Sequence, residues 1–244
     1  MTTQTVTEPQ ASTAKAADIR QFVSFRFFHL SPEWRRLPQS TKRKHANELA
    51  GVVDTWSRKL MVRTYSLIGM KADADFMIWR VGATLEPLQE MSGAVGRTAM
   101  GGYLSVPYSY LSMTKRSTYV DKLDPDHADR RRCITPANDK YLFVYPFVKS
   151  RDWYLLPLEE RQAMMDEHIK IGNRFPSVRL HTTYSFGLDD QEFVVAFETN
   201  EPKDFLDLVM ALRESKGSKY TIRDTPIFTC LARPMQQMLN DVGA

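Results

Sequence analysis

The chain has 244 residues, of which 43% are hydrophobic, so it can bury a sizeable core as one large domain or two small ones. Its formal net charge of +4 is small, and Lys and Arg are interleaved with Asp and Glu, which disfavours a nucleic-acid partner. A mildly positive chain suits a ligand with several carboxylates, although solubility explains the charge equally well.

The first residues and the cysteines bear on the cellular compartment. Residues 1–19 lack the apolar run of a secretory signal, and no stretch approaches the length of a membrane span. We predict a disordered tail over 1–19 in a cytoplasmic protein, with an organelle transit peptide as the alternative. Cys133 and Cys230 lack the CxxC spacing of a metal site or redox pair, so we expect packing or loop residues.

Hydrophobic periodicity predicts the same order of elements in two successive halves. In the first half, strands are predicted over 21–29, 60–68, 76–81 and 109–114, and helices over 39–58 and 85–98. In the second half, strands are predicted over 141–148, 178–186, 192–199 and 220–231, and helices over 158–174 and 202–214. Each half reads β-α-β-β-α-β, the ferredoxin-like arrangement of an α+β fold, and we expect the two sheets to pack face to face around a core or pocket.

Self-comparison supports an internal repeat. The segment FHLSPEWRRLP at 28–38 aligns without a gap to FVKSRDWYLLP at 147–157, with an offset of 119. The same offset aligns Glu48 with Glu167, and Tyr65 with Tyr184. We therefore divide the chain into a first half at 20–115, a charged connecting loop at 116–139 and a second half at 140–244.

His168 is the most informative difference between the halves, because its register partner is Leu49. A His in place of a buried Leu needs a partner for each ring nitrogen, or a metal. A core His bonded to a neighbour is one interpretation, and a ligand role is the other. No second His or Cys stands at ligand spacing, which disfavours structural zinc, whereas one axial His is sufficient for heme.

Two further polar differences lie near His168 in the sequence. Tyr145 has Arg26 as its counterpart, and Lys149 has Leu30. Tyr145 is either a core residue with a bonded hydroxyl or, beside a ferric heme, a residue that can lose one electron. Lys149 is either an ordinary surface residue or a partner for a heme propionate.

Several motifs share one register: YPFVKS at 145–150, WYLLP at 153–157, EH at 167–168 and TYSFGLDD at 183–190. Together they resemble the chlorite dismutase-like superfamily, and the spacing from YPFVKS to EH most resembles its actinobacterial-type coproheme decarboxylases. The likeness covers nearly the whole chain from about Arg20. It implies a dimeric α+β barrel, usually a homopentamer, with heme in the C-terminal half.

The resemblance also implies an activity, the hydrogen peroxide-dependent oxidative decarboxylation of iron coproporphyrin III (coproheme) to heme b in heme biosynthesis. Two propionates leave as carbon dioxide, and vinyl groups remain. By the family pattern, His168 is the proximal iron ligand, Tyr145 the radical-forming catalytic residue, Lys149 a basic residue near the porphyrin carboxylates and Trp153 an aromatic residue at the heme edge. His127 is the candidate distal base, although its register differs by about one residue.

The resemblance leaves two alternatives open. Chlorite dismutases, which convert chlorite to chloride and oxygen, have a distal Arg on the strand after the proximal helix, and the best-aligned residue here is Leu180. Strand alternation puts Arg179 and His181 on the opposite face from Leu180, so the register decides whether an Arg reaches the pocket. A non-catalytic heme carrier or sensor would keep His168 without depending on Tyr145.

The partner of the proximal His is a further departure from the family pattern. Where relatives often have a Glu that accepts the free ring N–H, this chain has Lys216, with Glu214 as the nearest substitute. If neither residue accepts that bond, we expect a weaker axial ligand.

Overall fold

The computed structural model describes residues 20–117, 119 and 133–244. The first half comprises strand β1 (Phe22–Leu30), helices α1 (Pro32–Arg35) and α2 (Gln39–Ser57), strands β2 (Met61–Ser66) and β3 (Phe76–Gly82), helix α3 (Glu86–Arg97) and strand β4 (Leu104–Met113). The second half comprises β5 (Tyr141–Lys149), α4 (Arg151–Leu155), α5 (Leu158–Gly172), β6 (Arg179–Tyr184), β7 (Phe193–Thr199), α6 (Pro202–Arg213), β8 (Thr221–Arg223), β9 (Phe228–Ala232) and α7 (Met235–Asp241).

The predicted helices and strands are confirmed, with three differences. Strand β4 begins at Leu104, earlier than the predicted 109–114. The predicted strand over 220–231 is two strands, β8 and β9, separated by a segment with Pro226, which has no N–H to donate to a ladder. Helices α1, α4 and α7 were not predicted. The tail over 1–19 and much of the connecting loop, including His127, lie outside the described residues.

The described strands form one continuous sheet instead of the two facing sheets expected from the sequence. Its order is β7-β6-β4-β1-β3-β2-β9-β5-β8, and β7 also pairs with β5, so the pairing closes into a circuit of eight strands. Within it, both halves have the same antiparallel order, β4-β1-β3-β2 and β9-β5-β7-β6. The halves join edge to edge, through β2 with β9 and β4 with β6. No described helix is long and apolar enough to cross a membrane.

The circuit encloses an apolar core to which both halves contribute. Phe25 stacks on Trp79, with ring centroids 5.4 Å apart. Phe27 stacks on Phe228 from the second half at 3.9 Å, so aromatic contact joins the halves as well as strand pairing. The interior is therefore a packed core, and the helix-facing side of the sheet is left for a binding site.

Residues that matched between the halves in sequence have matched structural positions. Trp34 in α1 and Trp153 in α4 are both buried. Gly69 and Gly187, whose spacing differs by one residue from the offset of 119, follow β2 and β6 with φ of 76° and 72°, in the left-handed region. Because that region is costly for a residue with a Cβ atom, the same turn requires glycine in both halves.

Gly187→Ala should lower the free energy of unfolding by about 1 kcal/mol, because a Cβ atom disfavours the left-handed backbone. Gly51 is the matched control, since it is exposed in α2 and a Cβ atom there would meet nothing within 4 Å. Gly51→Ala should therefore stabilise the protein by about 0.5–1 kcal/mol. Urea denaturation measures both, and changes of the same sign would contradict this account of the turn.

Candidate ligand-binding site

The candidate site lies on the helix-facing side of the second half and is built on β5. Side chains alternate along this strand, so Leu142 and Val144 join the interior core, whereas Phe143 and Tyr145 face the helices. Helices α5 and α6 cover that face in part. The strand therefore directs Tyr145 away from the interior core and toward the helices, one of which, α5, carries the predicted iron ligand His168.

Tyr145 is buried in an aromatic wall. Its ring stacks on Phe197 of β7 with centroids 5.9 Å apart, and Phe197 lies 5.1 Å from Phe205 of α6. Burial raises the pKa of Tyr145; the carboxylate of Asp224 raises it further, and Arg213 opposes this. Tyr145 therefore stays a neutral phenol throughout the physiological pH range.

His168 lies on α5, where it is half-buried beside a positive charge. Burial lowers the pKa of His168, and the ammonium group of Lys149 lowers it further. No hydrogen-bond partner for either ring nitrogen occurs within the part of the chain that the structure describes. Such an imidazole is mostly neutral at pH 7 and keeps a lone pair that can bind a metal.

Lys149 forms the polar edge of the site. Its Nζ donates to the carbonyl oxygen of Gly217 at 3.1 Å and lies 4.2 Å from the centroid of the Trp153 ring. Burial lowers the pKa of Lys149 to about 8, although the nearby carboxylate of Glu192 opposes the shift. The side chain is thus mostly a cation at neutral pH, and a carboxylate ligand would be a stronger partner than a neutral carbonyl.

Glu192, which precedes β7, holds the backbone at Lys149 and was not identified from the sequence. Its Oε2 accepts the N–H of Lys149 at 2.8 Å and the hydroxyl of Tyr154 at 2.6 Å. Its Oε1 lies 4.0 Å from the guanidinium of Arg151. The carboxylate therefore ties the end of β5 to α4. No local sequence pattern could predict this contact, because Glu192 stands 43 residues from Lys149.

The register of β6 decides which side chains face the site. Leu180 pairs directly with Phe197, and paired residues share a face, so Leu180 lies on the side of the aromatic wall, where it is 46% exposed. His181 faces the interior, where its Nε2 lies 2.7 Å from Glu198 Oε2. Arg179 shares the face of His181 by alternation. Leu180, and not Arg179, therefore lies toward the candidate site.

Trp153 and His127 complete the predicted set. Trp153 is buried in α4, with its ring centroid 5.6 Å from that of Tyr220, and it lies directly beside Lys149. His127 lies outside the described residues. The structure thus brings Lys149 together with His168 and Trp153, and it joins Tyr145 to Leu180 through Phe197.

The predicted partner of His168 has a different role. The backbone N–H of Lys216 donates to the carboxylate of Glu167 at 3.1 Å. Neither Glu214 nor Lys216 bonds His168 among the described residues. No carboxylate among the described residues therefore fixes the orientation of the imidazole by a hydrogen bond.

These groups together suit one kind of ligand. The aromatic wall, a neutral imidazole and a half-buried cation can hold a planar apolar molecule that carries a metal at its centre and carboxylates at its rim. The donor set thus fits an iron porphyrin with propionate groups.

The chain belongs to the chlorite dismutase family, whose sequence model matches residues 42–233. It is similar to the coproheme decarboxylase of Mycolicibacterium smegmatis, with 36% identity over 166 residues, which are 68% of this chain and 70% of that protein. A double mutant of chlorite dismutase from Candidatus Nitrospira defluvii has a TM-score of 0.84 and 28% identity, covering 92% of this chain and 96% of that one. The structure of chlorite dismutase from the same organism in complex with imidazole has a TM-score of 0.83 and 28% identity, and the match covers 90% of this chain and 94% of that one.

Lys149→Met should raise the pKa of His168 in the apo-protein toward that of a free His, because a neighbouring positive charge is removed. Lys170→Met is the matched control, since Lys170 is exposed on the same helix and should hardly change that pKa. A pH titration of the His168 ring resonances by NMR measures all three proteins. If Lys149→Met and Lys170→Met gave the same pKa, the charge interaction would be refuted.

Proposed function

We propose that this protein catalyses the hydrogen peroxide-dependent oxidative decarboxylation of iron coproporphyrin III to heme b, with the substrate bound between the helix-facing side of β5 to β7 and α5. The observation that carries the proposal is the neutral His168, unbonded within the described residues and flanked by the Lys149 cation. The resemblance to the M. smegmatis coproheme decarboxylase supports the choice of reaction.

The binding roles follow from the chemistry of each side chain. His168 would be the axial ligand of the iron through a ring lone pair, which its lowered pKa keeps available. Phe197 and Leu180 would contact the apolar macrocycle. Lys149 would exchange its bond to Gly217 for a charge-assisted bond to a propionate, with Trp153 packed against it.

The reaction removes two electrons for each propionate. The carbon–carbon bond to the carboxylate breaks to release carbon dioxide, one hydrogen leaves the neighbouring carbon, and a vinyl group remains. Hydrogen peroxide would accept both electrons, and the iron of the bound substrate would supply the redox chemistry for its reduction. Each step thus consumes one peroxide and one proton and yields two waters, and two such steps convert coproheme to heme b.

Tyr145 is the residue that we propose to carry the oxidation. Its raised pKa keeps the proton on the phenol, so the electron and the proton would leave together, the electron to the iron of the substrate and the proton to the peroxide oxygen that becomes water. The resulting neutral radical would then take the hydrogen atom that the propionate chain loses. The aromatic wall formed with Phe197 and Phe205 keeps water from that radical. Trp153 would lie at the heme edge, and His127 remains a predicted distal base.

Chlorite dismutation is the enzymatic alternative, and the residue on β6 at the position of the dismutase Arg argues against it. Leu180 lies toward the aromatic wall, whereas Arg179 is on the opposite face, so the Arg of the dismutase pattern has no counterpart at this position. The homopentamer and the cytoplasmic location stay predictions from the sequence and its resemblance.

Tyr145→Phe should keep its affinity for ferric coproporphyrin III but lose turnover by at least about 100-fold, the lower end of what a missing proton-transfer group costs. Tyr141→Phe, on the same face of β5, is the matched control and should keep its activity. Peroxide titration with mass spectrometry of the porphyrin follows the loss of two carboxyl groups. Normal turnover by Tyr145→Phe would sink the radical role.

If the wild-type protein bound ferric coproporphyrin III but the porphyrin lost no mass with peroxide, the decarboxylase assignment would be wrong. Oxygen release from chlorite would then identify a dismutase, and inactivity with both peroxide and chlorite would favour a carrier or sensor.

His168→Ala should weaken binding of ferric coproporphyrin III at least about tenfold, or 1.4 kcal/mol, because the axial bond to iron is lost. Metal-free coproporphyrin III is the control ligand, since it makes no axial bond, and its affinity should change little. Absorbance titrations measure both, and added imidazole should restore the spectrum of the ferric complex. An equal loss for both porphyrins would show that His168 supports the pocket without binding the iron.

A further inference from the structure

Two arginines lie side by side under the helices of the first half. Arg26 on β1 stands opposite Ile78, and Arg80 on β3 stands opposite Ser24, so the two arginines are diagonal neighbours on one face. Phe25 and Phe27, which alternate with Arg26 along β1, belong to the interior core. Both arginines therefore occupy the helix-facing side.

Arg80 is a buried cation whose hydrogen bonds are all to neutral groups. It is 4% exposed. One terminal nitrogen donates to Ser92 Oγ at 2.7 Å and to the Leu88 carbonyl at 3.0 Å, and the other donates to Ser24 Oγ at 2.7 Å. Its Nε is buried without a partner. A guanidinium remains charged in proteins, so these contacts leave a buried charge uncompensated.

Arg26 adds a second positive charge at the same place. Its Nε is buried and has no partner, and its guanidinium carbon lies 5.6 Å from the centroid of the Phe28 ring. Burial lowers the pKa of Arg80 to about 9, with a further contribution from the charge of Arg26. Among residues 20–117, 119 and 133–244, no carboxylate lies within 4.0 Å of either guanidinium.

The equivalent positions in the second half are aromatic. By sequence register Tyr145 corresponds to Arg26, and the pair of Phe143 with Phe197 corresponds to Ser24 with Arg80. The same strand geometry thus presents an aromatic wall in the second half and two guanidinium groups in the first. A flat apolar ligand suits the former, and only an anion suits the latter.

We propose that Arg26 and Arg80 form a binding site for a small oxyanion of the phosphate or carboxylate class on the helix-facing side of the first half. An oxyanion would accept hydrogen bonds from the exposed part of the Arg26 guanidinium, which donates none among the described residues, and would neutralise the paired charge. Ser109, which stands opposite Arg26 on β4, is exposed and marks the open side of the site.

The test is the thermal unfolding of the full-length apo-protein with increasing sodium phosphate at constant ionic strength. The midpoint Tm should rise and saturate, by roughly 3–6 °C at a tenfold excess over Kd. Sodium acetate in a parallel series distinguishes a carboxylate site from one that requires a phosphate. The absence of a saturating rise with both anions would overturn the proposal.

Arg26→Gln should have two opposite effects. It should raise Tm without phosphate, because it removes the repulsion of Arg80, and it should abolish the rise with phosphate. Arg63→Gln is the matched control, since Arg63 is exposed on the neighbouring strand β2 and donates to Asn138 at 2.7 Å. It should keep the phosphate response, and so should Lys149→Met in the second half.

The outcomes separate this site from the proposed heme site. A phosphate response that persists in Arg26→Gln, or that disappears in Lys149→Met, would assign the anion elsewhere and refute the proposal. If Arg26→Gln does not fold, Arg26→Lys keeps the charge with fewer donors and should weaken phosphate binding at least fivefold by calorimetry. Coproporphyrin binding should be unchanged in Arg26→Gln and in Arg26→Lys, so each proposal can fail alone.

Discussion

Pairing of β5 on both of its edges is the constraint on which the candidate site depends. Over Tyr141–Phe147 the strand pairs with β7, and over its first four residues it also pairs with β9. With both edges bonded, the strand cannot slip by one residue without exchanging its faces. Such a slip would send Tyr145 into the interior and Val144 toward the helices. The hydrogen-bonded register thus decides that a phenol faces the candidate ligand.

The cation at the end of β5 links the fold to the chemistry. Burying Lys149 is costly, and the carbonyl of Gly217, the Trp153 ring and the charge of Glu192 offset that cost only in part, because its pKa is still lowered. Its charge in turn lowers the pKa of His168. The energy spent in burying the ammonium group therefore helps to keep the imidazole neutral and able to bind a metal.

Periodicity and internal comparison could predict the local elements and the residues that differ between the halves, but not the contacts that cross the chain. His168 and Tyr145 were identifiable because their counterparts, Leu49 and Arg26, have different chemistry. The side of β6 that Leu180 occupies needed its partner strand, since alternation alone leaves two registers possible. Local sequence patterns likewise could not predict the closed circuit of strands, because the strand pairs that join the two halves, β2 with β9 and β4 with β6, lie far apart in sequence.

The two halves illustrate how one backbone arrangement can carry different ligands. Strand pairing places Arg26 and Tyr145 at equivalent points beneath the helices, and substitution there leaves the ladder intact because backbone groups alone form it. A change of side chain can thus replace an aromatic wall with a cationic site without altering the topology. The cost falls on local electrostatics, since the buried charge of Arg80 has only neutral acceptors among the described residues. An external anion would stabilise such an arrangement by neutralising the buried charge. The two arginines therefore indicate a ligand site in the first half and not only a structural role.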